Sequence, residues 1–137
     1  WTLSRGLGDV YKRQISAHWD LFPTFCELAE TETPEDLDGI SFLPTLLGGS
    51  QEQHEYLYWE FFEGGGKRAA RIGKWKAVQN QITRKGQNAP IEIYDLEGDR
   101  AETRDLAGQN SKVVARVREI FKQAHTPSPI WKFNWEK

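Results

Sequence analysis

A chain of 137 residues suits one domain or part of a larger one. Its net charge of -2, with 38% apolar and 28% charged residues, names no polyanionic partner. No apolar run approaches the roughly 20 residues of a membrane span, and the lone Cys26 excludes an intramolecular disulfide.

Charge is unevenly distributed. Ile15 to Gly66 contains eleven acids and no Lys or Arg, whereas Lys67 to Lys85 contains seven bases and no acid. Such runs read either as solvated, mutually paired faces or as a basic stretch that attracts an anionic substrate.

Residues 1–14 (WTLSRGLGDVYKRQ) have neither amphipathic period nor capping signal, and the start shows no secretory signal. The string GLGDVYKRQ resembles translated sequencing-adapter sequence at the broken ends of metagenomic reading frames. The expectation is a non-native, disordered arm. Leu21, Phe22, Phe25, Leu28 and Ala29 then mark one face of a helix ending near Glu30, capped by Ser16 or Asp20, with Pro23 in its first turn. Cys26 reads as a small apolar residue of that helix face. TETPEDLDG (residues 31–39) is a polar loop. Ser41 caps a short helical turn, Phe42 to Leu47, that Gly48 and Gly49 stop.

The period then changes to two. Leu57, Trp59 and Phe61 share one face of a strand, with Tyr56, Tyr58, Glu60 and Phe62 on the other. Gly64-Gly65-Gly66 turns the chain into a second strand, Lys67 to Ile72. Gly73-Lys74 leads to a third, Trp75 to Ile82. A flexible loop ending at Pro90 leads to a fourth, Ile91 to Leu96. Successive hairpins imply an antiparallel sheet. Val113, Val114, Val117, Ile120, Phe121 and Ala124 form the apolar stripe of a last helix that covers it, with Lys112, Arg116, Arg118 and Lys122 outside. The tail alternates Trp131, Phe133 and Trp135 and reads as an extended segment along another surface. His18, His54 and His125 fall on three separate elements without evident partners. The first helix has no sheet in this chain to cover its stripe, so the chain begins at the end of a larger α/β domain.

Four segments, in order, resemble the sulfatase family. HWDLFPTFCELA (His18–Ala29) is similar to the family's Asp-x-x-Pro-Thr helix. DLDGISFLPTLLG (Asp36–Gly48) is similar to its D-G-x-S-x-x-P-x-L-x-G segment. LYWEFFEGGGKRAARIGKWKAV (Leu57–Val78) resembles its first hairpins, with the Arg-x-Gly-x-Trp-Lys pattern at Arg71, Gly73, Trp75 and Lys76. IEIYDLEGDRAETRDLA (Ile91–Ala107) resembles the E-L-Y-D-L-x-x-D-x-x-E-x-x-N-L-A run, with Glu102 at the acidic position and Asp105 where Asn is usual. The resemblance implies an alkaline-phosphatase-like α/β catalytic domain followed by a small sheet-and-helix domain. It implies hydrolysis of sulfate esters by a formylglycine made from Cys or Ser in C/S-x-P-S/A-R, with calcium neutralising the sulfate oxygens.

That machinery is not written in this chain. Cys26 is followed by Glu-Leu-Ala-Glu, so it is no formylglycine site. Asp36 and Asp38 lie in a turn, and no carboxylate cluster reads as a calcium site. Calcium and formylglycine are therefore expected upstream, with no catalytic or metal residue here. The resemblance places the small domain beside the cleft. The turn Glu60 to Arg68 is the candidate rim, with Phe62, Glu63, Lys67 and Arg68 as substrate-contact candidates; the alternative is a plain hairpin turn with solvated charges. Many relatives have His at the position of Phe62, and that departure bears on polar contact there.

The expected architecture is α+β: a four-stranded antiparallel sheet packed by a C-terminal helix, preceded by the terminal helix of a missing α/β catalytic domain. Residues 15–49 are expected to end the catalytic domain and residues 50–137 to form the small domain. The expected function is that of a C-terminal sulfatase fragment, arylsulfatase-like and inactive alone. Its partners are the missing catalytic domain and, for the parent, a sulfated small molecule or glycan. Neither nucleic acid nor membrane is expected as a partner, and a periplasmic or secreted parent fits. The alternative is a stand-alone carbohydrate-binding or structural domain, which exposed Tyr56, Tyr58 and Trp75 on one surface would favour.

Overall fold

The computed structural model describes residues 15–133 and residue 136; expectations for residues 1–14 and for Trp135 lie outside the described residues. The chain divides into two compact units, residues 1–55 and residues 56–137. Among the described residues, no helix is long and apolar enough to cross a membrane.

In the first unit a single turn of tight helix, His18–Asp20, leads into α1 (Leu21–Leu28). The helix ends in a Schellman arrangement. Thr31 N–H donates to Cys26 O at 3.0 Å and Glu30 N–H to Glu27 O at 3.2 Å, with Glu30 left-handed at φ 51°. The face that α1 buries is not its apolar stripe. Pro23, Thr24 and Cys26 are buried, whereas Phe22, Phe25 and Leu28 are 53%, 59% and 54% exposed. Cys26 thus lies away from the Phe and Leu stripe, not on it.

The reason is a set of polar ties centred on Asp20, which is fully buried. Asp20 does not cap the helix with its side chain. One carboxylate oxygen accepts Ala17 N–H at 2.7 Å, and the other accepts Ile40 N–H at 2.9 Å and lies 2.8 Å from His54 Nε2. Thr24 Oγ1 donates to the Asp20 carbonyl at 2.7 Å and accepts Phe42 N–H at 3.0 Å. Glu27 receives the Ser41 hydroxyl. Gly39 is required by close approach, since a Cβ there would stand 2.4 Å from the Trp19 carbonyl oxygen. The Asp-x-x-Pro-Thr helix and the Asp-Gly-x-Ser segment are therefore two halves of one hydrogen-bonded clasp. Ser41 Oγ accepts Leu43 N–H at 3.2 Å just ahead of α2 (Leu43–Leu46), whose N-cap is Phe42 rather than Ser41 and which is shorter than Phe42–Leu47 by one residue at each end.

The second unit is a four-stranded antiparallel meander: β1 (Leu57–Phe61), β2 (Lys67–Ile72), β3 (Trp75–Asn80) and β4 (Ile91–Asp95), in that spatial order. The last helix is α4 (Ser111–Gln123). The register sets Tyr58, Ala70, Ala77 and Ile93 in one row across the sheet. These pack with Val117, Ile120 and Phe121 of α4, all three buried, and the stripe read from the sequence is the stripe that packs. Ala70 and Ala77 let the helix approach closely. Tyr56, Tyr58 and Trp75 are partly buried against this core, so they form no exposed aromatic platform. Glu60 pairs with Arg68 and Gln79 in the next row of the same face. It therefore shares the helix side, not the outer face that Lys76 and Glu92 occupy.

The third strand stops earlier than its apolar pattern suggests. Gln81 turns left-handed at φ 55°, and Ile82–Lys85 form a short helix, α3, where the strand end at Ile82 and the start of a flexible loop were expected. Ile82 is fully buried with Ala89 and Phe133, and Phe62 packs against them. A buried Ile followed by a reversal is indistinguishable from a strand end by periodicity alone. The connection after β4 is held by Asp105, whose Oδ1 accepts Ile93 N–H and Ala107 N–H, each at 2.9 Å. Only one acceptor oxygen is needed, so Asp serves where the resemblance leads one to expect Asn. Lys76 reaches Glu102 at 2.6 Å, joining the Arg-x-Gly-x-Trp-Lys pattern to the acidic position of the next segment.

Candidate functional site

The glycine turn after β1 does approach another surface closely, but that surface is its own unit. Thr83 N–H donates to Gly65 O at 2.9 Å and Ile82 N–H to Gly66 O at 3.2 Å. A Cβ on Gly66 would lie 2.6 Å from Thr83 Oγ1 and 2.8 Å from Ile82 Cγ1. The turn is thereby fastened to α3.

The four residues proposed for the rim separate. Phe62 stacks on Phe133, ring centroids 4.4 Å apart, with Trp131 at 6.2 Å. An aromatic at this position completes a small apolar cluster. Glu63 and Lys67 are exposed. Lys67 and Arg68 are consecutive in β2 and so project to opposite faces. Arg68 turns to the helix side. Its Nε donates to Gln79 Oε1 at 2.6 Å, and its guanidinium lies 4.5 Å from the centroid of the Phe121 ring.

Arg68 leads into a concave feature of this unit, a depression of about 340 Å³. Phe121 also borders it, itself buried with the Arg68 guanidinium over its ring. Arg118, Lys122 and His125 line it from the C-terminal part of α4 and just beyond, at i, i+4 and i+7. Gln87 and Asn88 line it from the β3–β4 connection, which the buried Gln79 holds by donating to Gln87 O at 3.0 Å and Ala89 O at 2.5 Å. The i, i+4, i+7 spacing was visible in the sequence. It read as a solvated face because nothing there shows that β2 and a loop border the same stripe.

Burial lowers the pKa of Arg68; Tyr58 and Glu60 oppose that, and the nearby positive charge of Arg118 adds to it. Burial, then its hydrogen bond to Glu60, holds the Tyr58 phenol well above its usual range. His125 stands between two carboxylates, Nδ1 at 2.5 Å from Glu60 and Nε2 at 2.6 Å from Glu136. Only the doubly protonated ring donates to both.

No set of three His, Cys, Asp or Glu side chains is placed to hold a metal ion among the described residues. The carboxylate best shielded from water, Asp20, faces two N–H donors and an imidazole, which fill the lone pairs a calcium would need. Cys26 is buried and lacks the modification motif. The calcium and formylglycine implied by the resemblance do not fit the residues described here.

Comparison with known proteins agrees with the motif order. Residues 8–126 match the family described as N-sulphoglucosamine sulphohydrolase, C-terminal. An ulvan-active sulfatase of Formosa agariphila is 47% identical over 45 residues, 33% of this chain and 9% of its own length. A Delta 4,5-hexuronate-2-O-sulfatase of Bacteroides thetaiotaomicron is 31% identical over 126 residues, covering 80% of this chain and 23% of that protein. The solved structure of a 2-O GAG sulfatase superposes with a TM-score of 0.65 at 29% identity, over 77% of this chain and 23% of that one. The chain thus spans less than a quarter of the length of these relatives. With the family profile matched over most of its length and the same sheet-and-helix fold, the chain belongs to the sulfatase family and carries its C-terminal domain of the N-sulphoglucosamine sulphohydrolase type.

Proposed function

We propose that this chain is the C-terminal part of a sulfatase that hydrolyses sulfate esters of a saccharide, and that it supplies neither nucleophile nor metal ligand. Residues 15–49 end the catalytic domain in this reading, and residues 50–137 form the small domain beside the cleft. The observation that carries it is the exposed stripe Phe22, Phe25 and Leu28 on a helix whose other side is pinned by the Asp20 clasp. Leaving such side chains in water forgoes roughly 1.5–3 kcal/mol each, and a contiguous patch of this kind marks a surface meant to be covered. The occupant is the α/β sheet of the catalytic domain, consistent with relatives several times longer than this chain. Calcium and formylglycine belong to that domain, as does the attack on sulfur. Substrate contact by this part rests on Arg68, since Phe62 is engaged in aromatic packing and Glu63 and Lys67 do not share its concave site.

A stand-alone carbohydrate-binding domain is less well supported, because Tyr56, Tyr58 and Trp75 are spent on the core. The test is the reading frame upstream of residue 1. Its recovery and expression with this chain are expected to reveal a C/S-x-P-S/A-R motif and calcium-dependent sulfate release. An upstream frame without the motif, or turnover of an aryl sulfate by the 137-residue chain alone, overturns the reading.

A further inference from the structure

The segment after α4 is held at two points, and both lie at the end of β1. His125 Nδ1 reaches Glu60 at 2.5 Å while its Nε2 reaches Glu136 at 2.6 Å. Two residues beyond Glu60, Phe62 stacks on Phe133. Phe133 is 1% exposed and closes a cluster with Ile82 and Ala89 that is separate from the core beneath α4. Between the anchors the chain is lightly held. Thr126, Pro127 and residues 129–132 are exposed. Among the described residues, the hydrogen bonds of this span run inside it, from Ile130 and Trp131 N–H to Ser128 Oγ at 3.2 and 3.1 Å. A segment with so few contacts opens at a smaller cost than the whole unit. The apolar anchor also reaches the glycine turn. Ile82 packs with Phe133 and donates its N–H to Gly66 O, and Thr83 N–H donates to Gly65 O.

We propose that the segment from Thr126 to Phe133, with Glu136, is a pH-released strap, closed while a doubly protonated His125 bridges Glu60 and Glu136 and, once open, freeing Phe62 and loosening the glycine turn. A neutral imidazole has one N–H, so it donates to one carboxylate and turns a lone pair on the other. The bridge then fails at one end, and Phe133 alone holds the strap. The groups around His125 come from four elements. Glu60, which receives the Tyr58 hydroxyl, is on β1, Glu136 on the strap, Arg68 on β2, and Arg118, Glu119 and Lys122 on α4. Burial works against the charged ring, but the hydrogen bonds and charges of Glu136 and Glu60 outweigh it and leave the His125 pKa raised. The strap is therefore closed below the free imidazole value of about 6.5 and opens as pH rises through the higher folded value. Opening withdraws the ring beside Ile82 and leaves Ala77, Ile93 and Val117 in their own core. The place of the turn at a substrate cleft rests on the sulfatase reading; the strap does not.

The test follows the methyl resonances of Ile82 and Ala89 in the full chain, which the rings of Phe62 and Phe133 displace, beside the ring signals of His125 as pH is raised. Ile93 and Ala77, in the other core, are the references. The Ile82 and Ala89 signals are expected to move with the His125 titration while the references stay. Protection factors of the Ile82 and Thr83 amides, corrected for intrinsic exchange, are expected to fall about tenfold, as the loss of one charge-assisted hydrogen bond implies. Glu136→Gln removes one carboxylate from His125 and should move the transition to lower pH. Phe133→Ala should give the lowered Ile82 and Thr83 protection at every pH. Ile82 signals that ignore the His125 titration, reference signals that move with them, a midpoint unmoved by Glu136→Gln, or unchanged protection in Phe133→Ala overturns the proposal. Such a failure leaves the sulfatase reading intact, since the upstream reading frame tests that separately.

Discussion

His125 Nε2 lies 2.6 Å from Glu136 Oε1, and this pair ties the end of the chain back to the sheet. The same glutamate accepts Phe133 N–H at 2.7 Å through its other oxygen, while Phe133 is buried against Phe62, Ile82 and Ala89. A charged contact and an apolar anchor therefore act on the same few residues of the tail.

The contact is pH-dependent, with two limits. Burial by itself lowers the His125 pKa, but the hydrogen bonds and charges of Glu136 and Glu60 outweigh it and leave the pKa raised. Stabilisation from His125 is thus fully present below the free imidazole value of about 6.5 and lost as pH rises through the higher folded value. The hydrogen bond to His125 holds Glu136 below the usual carboxylate range. Its contribution is present above the free value of about 4.3 and lost as pH falls through the lowered one. Lys132 lies beside Glu136, and Arg68 and Lys122 line the same depression as His125. The protection factor of the Phe133 amide, corrected for intrinsic base-catalysed exchange, is expected to be largest between these limits and to fall on the alkaline side. His125→Ala should abolish that alkaline limb, and a variant that keeps it shows the tail is held by Phe133 alone.

Val117→Asp should unfold the second unit, since Val117 is fully buried between α4 and the sheet. An unpaired charge there costs about 3–5 kcal/mol. Arg118→Asp, on the exposed side, should change stability by only about 0.5 kcal/mol. Denaturant midpoints of the two variants check the helix face.

Gly66→Ala is expected to be markedly more destabilising than Gly64→Ala. Both positions are left-handed, at φ 70° and 61°, and each substitution carries backbone strain of about 1–2 kcal/mol. Only at Gly66 does the new Cβ also meet Thr83 Oγ1 and Ile82 Cγ1, while Gly64 faces open space. Equal melting temperatures for the two would show that α3 moves aside freely.

Asp20→Ala should loosen the first unit selectively. It strands the N–H groups of Ala17 and Ile40, at about 1–3 kcal/mol for each orphaned group that stays buried, and removes the partner of His54. The sign to look for is faster amide exchange at Ile40 with the exchange of Ala77 and Ile93 unchanged. Protection retained at Ile40 would mean that the clasp is closed by Thr24 and Gly39 instead.

Phe22→Ser combined with Phe25→Ser should reduce self-association and hydrophobic-dye binding without lowering the melting temperature, because both side chains are more than half exposed. A drop in melting temperature would show that the stripe is packed within the chain.

Local pattern determined much of this protein. The alternation at Leu57, Trp59 and Phe61, the glycines after them, and the 3.6-residue period of Val113, Val117, Ile120 and Phe121 specify strands, a turn and a helix from neighbouring residues alone. Motif order carried the family for the same reason. Asp20, Thr24 and Gly39 each make a contact that depends on the side chain, or the lack of one, at that position. Tertiary structure decided which faces meet. The apolar stripe of α1 stays exposed because hydrogen bonds from Ile40 and Phe42 seat the opposite side. His54 and His125 gained partners 34 and 65 residues away. Arg68 joined Arg118 and Lys122 only because the sheet register turns Arg68 toward α4 while Lys67 projects to the other face. Periodicity reports the direction of a side chain on its own element. What waits in that direction is settled by packing between elements distant in sequence.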